Sequence, residues 1–338
     1  MVPVRGLSRW LYGVVVSSRW PRRRRRMNGA PIFCFHNVVA DEYAGRVGDG
    51  ALHMGVSAFE EHLTWIARTY SVIALAELVE RLRAGRSVRG VAALTLDDAY
   101  QGALTYGLPV LRALQLPATL FVVAASADSS GFFWWDRLGG GGSSGERRRY
   151  LEDFRGDARL ILGEVEERSG GGLPDICRPA GWAPLRDAAR DGLFAMAAHG
   201  VSHRHLQALS FDELRFELEA GRAAIGEHVG VAPTLFAYPY GLADDRAVRA
   251  VAAAGYNGAV TLARAVARPG QHPLALPRIN VPAGIAPEAL ESWAAEIWLR
   301  PPPIRMPGDG SAGAVASPVN GRPVVGRPRR GREGTLGA

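Results

Sequence analysis

Between residues 31 and 298, short apolar runs alternate with amphipathic stretches of helical period, and this alternation most constrains the fold. Strands are expected at 31–35, 91–96, 118–123, 193–198, 235–238, 256–261 and 276–281. Helices are expected at 57–68, 75–83, 100–114, 182–190, 211–229, 244–254 and 287–298, the first opened by Ser57 as N-cap with Glu60 three residues on. About eight strand–helix units in some 270 residues suit one distorted (β/α) barrel of seven to eight strands better than two doubly wound halves. The pattern breaks once. A Gly/Ser run from Gly139 to Gly145 reads as loop, and a helical period from Arg147 to Arg168 ends at Gly170. Residues 126–180 are therefore expected to be an insertion with one helix, packed over one end of the sheet.

Charge divides the chain further. The whole carries 40 basic and 33 acidic residues, all of the basic ones Arg. Residues 1–26 hold eight Arg and no acid, and residues 300–338 hold seven Arg against Asp309 and Glu333, leaving 25 basic and 31 acidic residues in the middle. Three regions follow: a basic leader (1–27), one catalytic-sized domain (28–300) and a Pro/Gly/Arg tail (301–338) whose composition supports no core. With the positive charge confined to the ends, a nucleic-acid partner is not expected.

The apolar run Trp10 to Val16 is shorter than the roughly 20 residues a spanning helix needs. It also runs into an Arg block rather than a small-residue cleavage site. The leader reads either as disordered or as a weak contact for an anionic membrane surface, and the expected location is cytoplasmic or peripheral to a membrane. Cys34 and Cys177 are expected as two free thiols.

Polar residues collect where the strands end, which is where barrels of this kind place function. Asp97 and Asp98 follow one strand, His199 and His203 another, and Tyr238-Pro-Tyr-Gly241 a third. Two adjacent carboxylates at a strand end are costly unless compensated, and a divalent cation compensates them. Histidines four apart can aim both rings at one ion. With Asp98 they form a two-His, one-carboxylate set that leaves positions open for water, as catalytic sites do. Taken singly, each element has a plainer reading: a helix cap, a His-rich stretch, a turn.

Together and in order, these segments resemble the polysaccharide deacetylases, carbohydrate esterase family 4, with the NodB-homology fold. Thr95-Leu-Asp-Asp-Ala99 is similar to that family's Thr-Phe-Asp-Asp-Gly signature, and His199-Gly-Val-Ser-His203 to its His-Ser/Thr-x-x-His motif. Phe236-Ala-Tyr-Pro-Tyr-Gly241 resembles its Arg-x-Pro-Tyr-Gly segment. Phe35-His36-Asn37-Val38, Phe133-Trp-Trp-Asp136 and Leu276-Pro-Arg-Ile-Asn280 resemble segments of one branch. The resemblance implies a hydrolase that removes acetyl groups from an acetylated glycan. It implies Asp97 as general base, and one divalent metal ion held by Asp98, His199 and His203, zinc before cobalt, nickel or manganese. The backbone N–H of Tyr240 would face the oxyanion.

Three departures qualify this expectation. Ala237 stands where the family has the Arg that steadies the base, and Arg278 is the candidate substitute, unless it is a surface residue on the last strand. No Leu-x-His segment supplies a general acid, since His272 is near but mispositioned. Gly200 and Ala99 replace Ser/Thr and Gly, and Ala tolerates positive φ less readily. Trp134 and Trp135 read either as a stacking face for sugar rings, with Asp136 accepting hydroxyl hydrogen bonds, or as packing anchors of the insertion. Tyr238 and His36 are further candidates to contact substrate, His36 equally a structural hydrogen-bonding residue. The alternative functions are a metal- and glycan-binding relative without turnover and a different metal-dependent amidohydrolase.

Overall fold

The computed structural model describes residues 28–138, 144–165 and 172–296. The leader, the Gly run at 139–143, the expected helix end and glycines at 166–171 and the tail lie outside the described residues. The elements in chain order are β1 (Ile32–Phe35), β2 (Asn37–Val39), β3 (His53–Gly55), α1 (Val56–Thr69), β4 (Ser71–Val72), α2 (Leu75–Arg83), β5 (Val91–Leu96), α3 (Leu108–Leu114) and β6 (Ala118–Val122). Next come α4 (Trp134–Arg137), α5 (Ser144–Glu152), α6 (Ala158–Val165), α7 (Trp182–Arg190), β7 (Phe194–Ala198) and α8 (Phe211–Val229). The chain continues through β8 (Leu235–Ala237), α9 (Asp245–Ala253), β9 (Gly258–Val260), β10 (Ile279–Asn280) and α10 (Pro287–Ala294).

The main sheet runs β10–β1–β5–β6–β7–β8–β9 with every neighbouring pair parallel, and β4 adds to β5. Leu276 bridges to Val260 of β9 just before β10 pairs with β1, so residues 276–280 join the two sheet edges. The result is the distorted (β/α) barrel that the strand–helix alternation implies.

Strand period two sorts the side chains. Phe33, Phe35, Leu94, Leu96 and Phe236 point outward into the main cluster beneath the helices. Ile32, Ala93, Ala197, Leu235 and Ala237 point inward, and Leu78, Val79 and Leu82 of α2 close the lower end of the same cluster. On the inward face, Cys34 follows Ile32, Thr95 and Asp97 follow Ala93, and His199 follows Ala197. Three inward alanines leave space in the barrel, which a long side chain can fill. Cys34 and Cys177 are buried free thiols. Among the described residues no helix is long and apolar enough to cross a membrane.

Local differences from the sequence reading have local causes. The N-cap of α1 is Gly55 rather than Ser57; Ser57 donates its N–H and hydroxyl to Asp41 at 3.1 and 2.5 Å, so the cap arrives from an earlier turn. The stretch expected as one helix at 147–168 is two, α5 and α6. Arg155 and Gly156 sit at φ 54° and 68° between them, which no α-helix accommodates. A Cβ on Gly156 would lie 2.9 Å from the Tyr240 hydroxyl, so the break lets the insertion settle against the loop after β8. Helix 100–114 begins with a π turn at Ala103–Gly107, beside Gly102, whose Cα faces Val38 O too closely for any side chain.

Candidate metal centre and active site

Asp97 leaves β5 facing into the barrel and meets Arg278 from the segment that closes it. Among the described residues Arg278 is the largest fully buried side chain, at 0% exposure. Its Nη1 and Nη2 donate to the two Asp97 oxygens at 2.6 and 2.7 Å, a planar two-point fork. Nη1 also donates to Thr95 Oγ1 and Nε to Thr261 O, both at 3.1 Å, and the guanidinium lies over the Phe121 ring. Arg278, from the residue before β10, thus supplies Asp97 with the cation that Ala237 cannot. The Cys34 thiol donates to Asp97 Oδ2 at 3.5 Å, a contact that sequence gave no reason to expect. Burial alone would push the Asp97 carboxyl up, but the Arg278 charge and its hydrogen bonds hold it well below the usual carboxylate range.

Asp98 ends the strand alternation. At φ 69° its backbone is left-handed, and Ala99 follows at φ 50°, so the turn survives without the family's Gly at the cost of strain. Ala99 is held by its carbonyl, which accepts from Ala180 N–H at 2.8 Å. The turn carries Asp98 Oδ1 to 3.6 Å from His199 Nε2 and 3.5 Å from His203 Nε2. Those separations are too long for hydrogen bonds. They match the roughly 3.3–3.5 Å between neighbouring ligands of a tetrahedral ion with bonds near 2.0–2.1 Å.

His199 donates from Nδ1 to Ala237 O at 2.8 Å, which fixes its tautomer and leaves Nε2 free to coordinate. Asp98 Oδ1 is buried with no hydrogen-bond partner. Burial and then the Asp97 charge push the Asp98 carboxyl up, while burial lowers both imidazoles and keeps them neutral. An orphaned acid oxygen between two neutral ring nitrogens is the donor set that a divalent cation completes, so these residues fit the ion.

His36 follows β1 directly, near Asp97. Its ring nitrogen, the Cys34 sulfur and an Asp97 oxygen lie within 4.8 Å of one another, and burial pushes the imidazole down to about 4. Tyr240 takes φ 59°, which lays its ring against His203 at 4.5 Å between centroids. His272 accepts from the Leu274 N–H and turns to its own loop.

Four residues offered as candidate substrate contacts make their observed contacts within the protein. Tyr238 follows inward Ala237 and so points outward into the core, its hydroxyl donating to Leu274 O at 2.8 Å. Trp134 and Trp135 are buried with Tyr100, Phe133 and Tyr150 as anchors of the insertion. Both oxygens of Asp136 are taken, one by His53 Nε2 (2.7 Å) and Asp49 N–H (3.0 Å), the other by the Tyr100 hydroxyl (2.9 Å). Trp135 nevertheless borders the candidate ion site: its ring lies 4.8 Å from that of His203, and its Nε1 donates to the Tyr100 hydroxyl. The Asp136–His53–Tyr100 network is not readable from the sequence because His53 opens β3, Tyr100 follows the turn after β5 and Asp136 sits in the short α4, segments that no shared periodicity relates.

Residues 84–259 match the family model described as polysaccharide deacetylase. The poly-β-1,6-N-acetyl-D-glucosamine N-deacetylase of Escherichia coli (strain K12) is 26% identical over 282 residues, covering 75% of this chain and 36% of that protein. The chain thus spans about a third of the length of the curated relatives it matches. Among solved structures, the deacetylase PplD of Streptococcus pyogenes, in complex with acetate, aligns with TM-score 0.56 at 17% identity over 81% of this chain and 99% of that one. IcaB of Ammonifex degensii aligns with TM-score 0.56 at 18% identity, over 80% and 98%. A polysaccharide deacetylase of Bacillus cereus aligns with TM-score 0.58 at 16% identity, over 79% and 69%. At these identities the structural likeness concerns the fold.

Proposed function

The chain belongs to the polysaccharide deacetylase family, and we propose that it is a metal-dependent N-deacetylase acting on a polymer of N-acetylated hexosamine. One observation carries this reading: the orphaned Asp98 oxygen faces two neutral imidazoles at coordination spacing, beside an Asp97 clamped in its ionised form. The E. coli relative, named for N-deacetylation of poly-β-1,6-N-acetyl-D-glucosamine, supports the choice of substrate class.

Asp98, His199 and His203 would hold one divalent ion, zinc before cobalt, nickel or manganese, because two imidazoles and a carboxylate suit it. The chemistry it would supply is polarisation of the acetyl carbonyl and acidification of a water. Asp97, beside that position, accepts the proton of the water as its oxygen bonds to the acetyl carbon. Arg278 keeps the accepting oxygen aimed and the carboxylate ionised until then. The backbone N–H of Tyr240, at the mouth after β8, is the proposed donor to the oxygen on which charge develops.

The C–N bond then breaks, acetate forms, and the sugar nitrogen needs a proton. Asp97 holds the proton it took from water, and as a carboxyl with a depressed pKa it gives that proton up readily. His36, neutral at rest and within 4.8 Å of Asp97, is the group placed to pass it to the departing amine. Acetate release from a poly-N-acetylglucosamine oligomer, assayed for wild type and for His36→Gln, tests this assignment. Retention of full kcat by His36→Gln removes His36 from it.

A further inference from the structure

Helix α8 carries an acid within its apolar stripe. Leu214, Glu217, Leu218, Gly221 and Ile225 form the buried face at helical spacing, and Glu217 is 3% exposed. A buried carboxylate is costly unless its oxygens are satisfied. A single short segment satisfies them: Oε2 accepts from the N–H of Val201 at 2.8 Å and of Ser202 at 2.9 Å, and Oε1 accepts from the Ser202 hydroxyl. That segment is the link between His199 and His203. From the other side, Ala124 N–H donates to Gly200 O at 3.1 Å and Ala125 N–H to Val201 O at 2.8 Å. The link is therefore gripped by its carbonyls and its amides at once.

Two glycines permit the grip. A Cβ on Gly221 would lie 3.0 Å from the carbonyl carbon of Gly200, and a Cβ on Gly200 would lie 2.9 Å from Glu217 Oε2. Gly200, which departs from the family's Ser/Thr, is the residue that admits the carboxylate. The link ends with His203 at φ 56°, a conformation that a histidine seldom adopts unless its surroundings impose it. Loosening of residues 200–202 would let that strain relax and carry His203 Nε2 away from Asp98 and His199.

We infer that Glu217 is a positioning residue for the ion site, fixing the backbone at 200–202 so that both imidazoles converge on Asp98. This rests on the reading that Asp98, His199 and His203 hold an ion. The test uses the full chain, stripped of metal and titrated with zinc against a chromophoric chelator, and then loaded with cobalt for its visible absorption. Glu217→Gln keeps the volume but presents an amide NH₂ where donors already converge. It should weaken zinc binding about ten- to a hundredfold, as loss of a ligand's supporting partner does, and should alter the cobalt band. Ser202→Ala removes one of the three contacts without disturbing the helix, and should weaken zinc by a smaller factor, about threefold.

A purely structural role would lower the melting temperature and leave zinc affinity and the cobalt spectrum unchanged, and that result for Glu217→Gln overturns the inference. If Glu217→Gln fails to fold, unchanged zinc affinity in Ser202→Ala overturns it instead. Wild-type protein that takes up no zinc refutes the ion site itself, a failure separate from that of Glu217.

Discussion

Arg278 can be replaced in two ways that separate its geometry from its charge. Its side chain makes four hydrogen bonds, two of them the parallel pair to Asp97. Lys at this position keeps a positive charge but reaches from a single nitrogen, so the fork is lost and Asp97 can rotate. One charge-assisted hydrogen bond is worth about 1.5–3 kcal/mol. If that is what aims the base, kcat for acetate release should fall about ten- to a hundredfold in Arg278→Lys with metal content unchanged. Arg278→Met removes the charge as well. Burial then acts on the Asp97 carboxyl without its main opponent, and its pKa rises. A base whose pKa rises is protonated over a wider range, so activity should be lost at low pH and recover as pH increases. The acid limb of kcat/KM should therefore move up in the Met variant and stay near the wild-type position in the Lys variant. Stability should fall by about 3–5 kcal/mol in Arg278→Met, the cost of stranding one partner of a buried pair. An unchanged kcat in Arg278→Lys, together with an unmoved acid limb in Arg278→Met, would show that the fork has no part in the chemistry.

Three further outcomes are expected. Asp97→Asn should bind metal stoichiometrically by elemental analysis yet release acetate at least about a thousandfold more slowly, since an amide cannot accept the water's proton; near wild-type turnover would place the base elsewhere. The double variant His199→Ala/His203→Ala should lose the ion, and stoichiometric metal in it would refute the ligand set. In the metal-free protein the Asp98 carboxyl is raised by burial and the Asp97 charge while both imidazoles are already neutral. Ion binding needs the ionised carboxylate, so affinity should fall as pH falls, with net proton release seen by calorimetry in buffers of different ionisation enthalpy; a flat pH profile would contradict this.

What was legible in the sequence was what strand periodicity governs. Strand ends and their polar residues announce Asp97, Asp98, His199 and His203, because a charged residue directly after a buried run has few structural excuses. Arg278 was legible through a gap: Ala237 leaves Asp97 without a cation, and the closing segment supplies one. The same alternation could have excluded Tyr238, since Ala237 points inward and its neighbour must point out. Trp134, Trp135 and Asp136 lie beyond any strand, and whether an aromatic pair faces sugar or core depends on contacts from Tyr100, Tyr150 and His53 that no local pattern encodes. The insertion shows the converse, for its helical period runs unbroken across Arg155 and Gly156 although the chain must turn there to pass Tyr240. Glu217 did leave a trace, an acid at a position where Leu214, Leu218 and Ile225 set an apolar stripe. Such a residue means either a misassigned helix or a carboxylate with something to hold.

The most direct test of the account is acetate release from a poly-N-acetylglucosamine oligomer by the full chain, measured as purified, after chelation, and after one equivalent of zinc is returned. The account predicts release that chelation abolishes and zinc restores, with one ion per chain. Equal release from chelated protein whose metal content is confirmed to be negligible would contradict it.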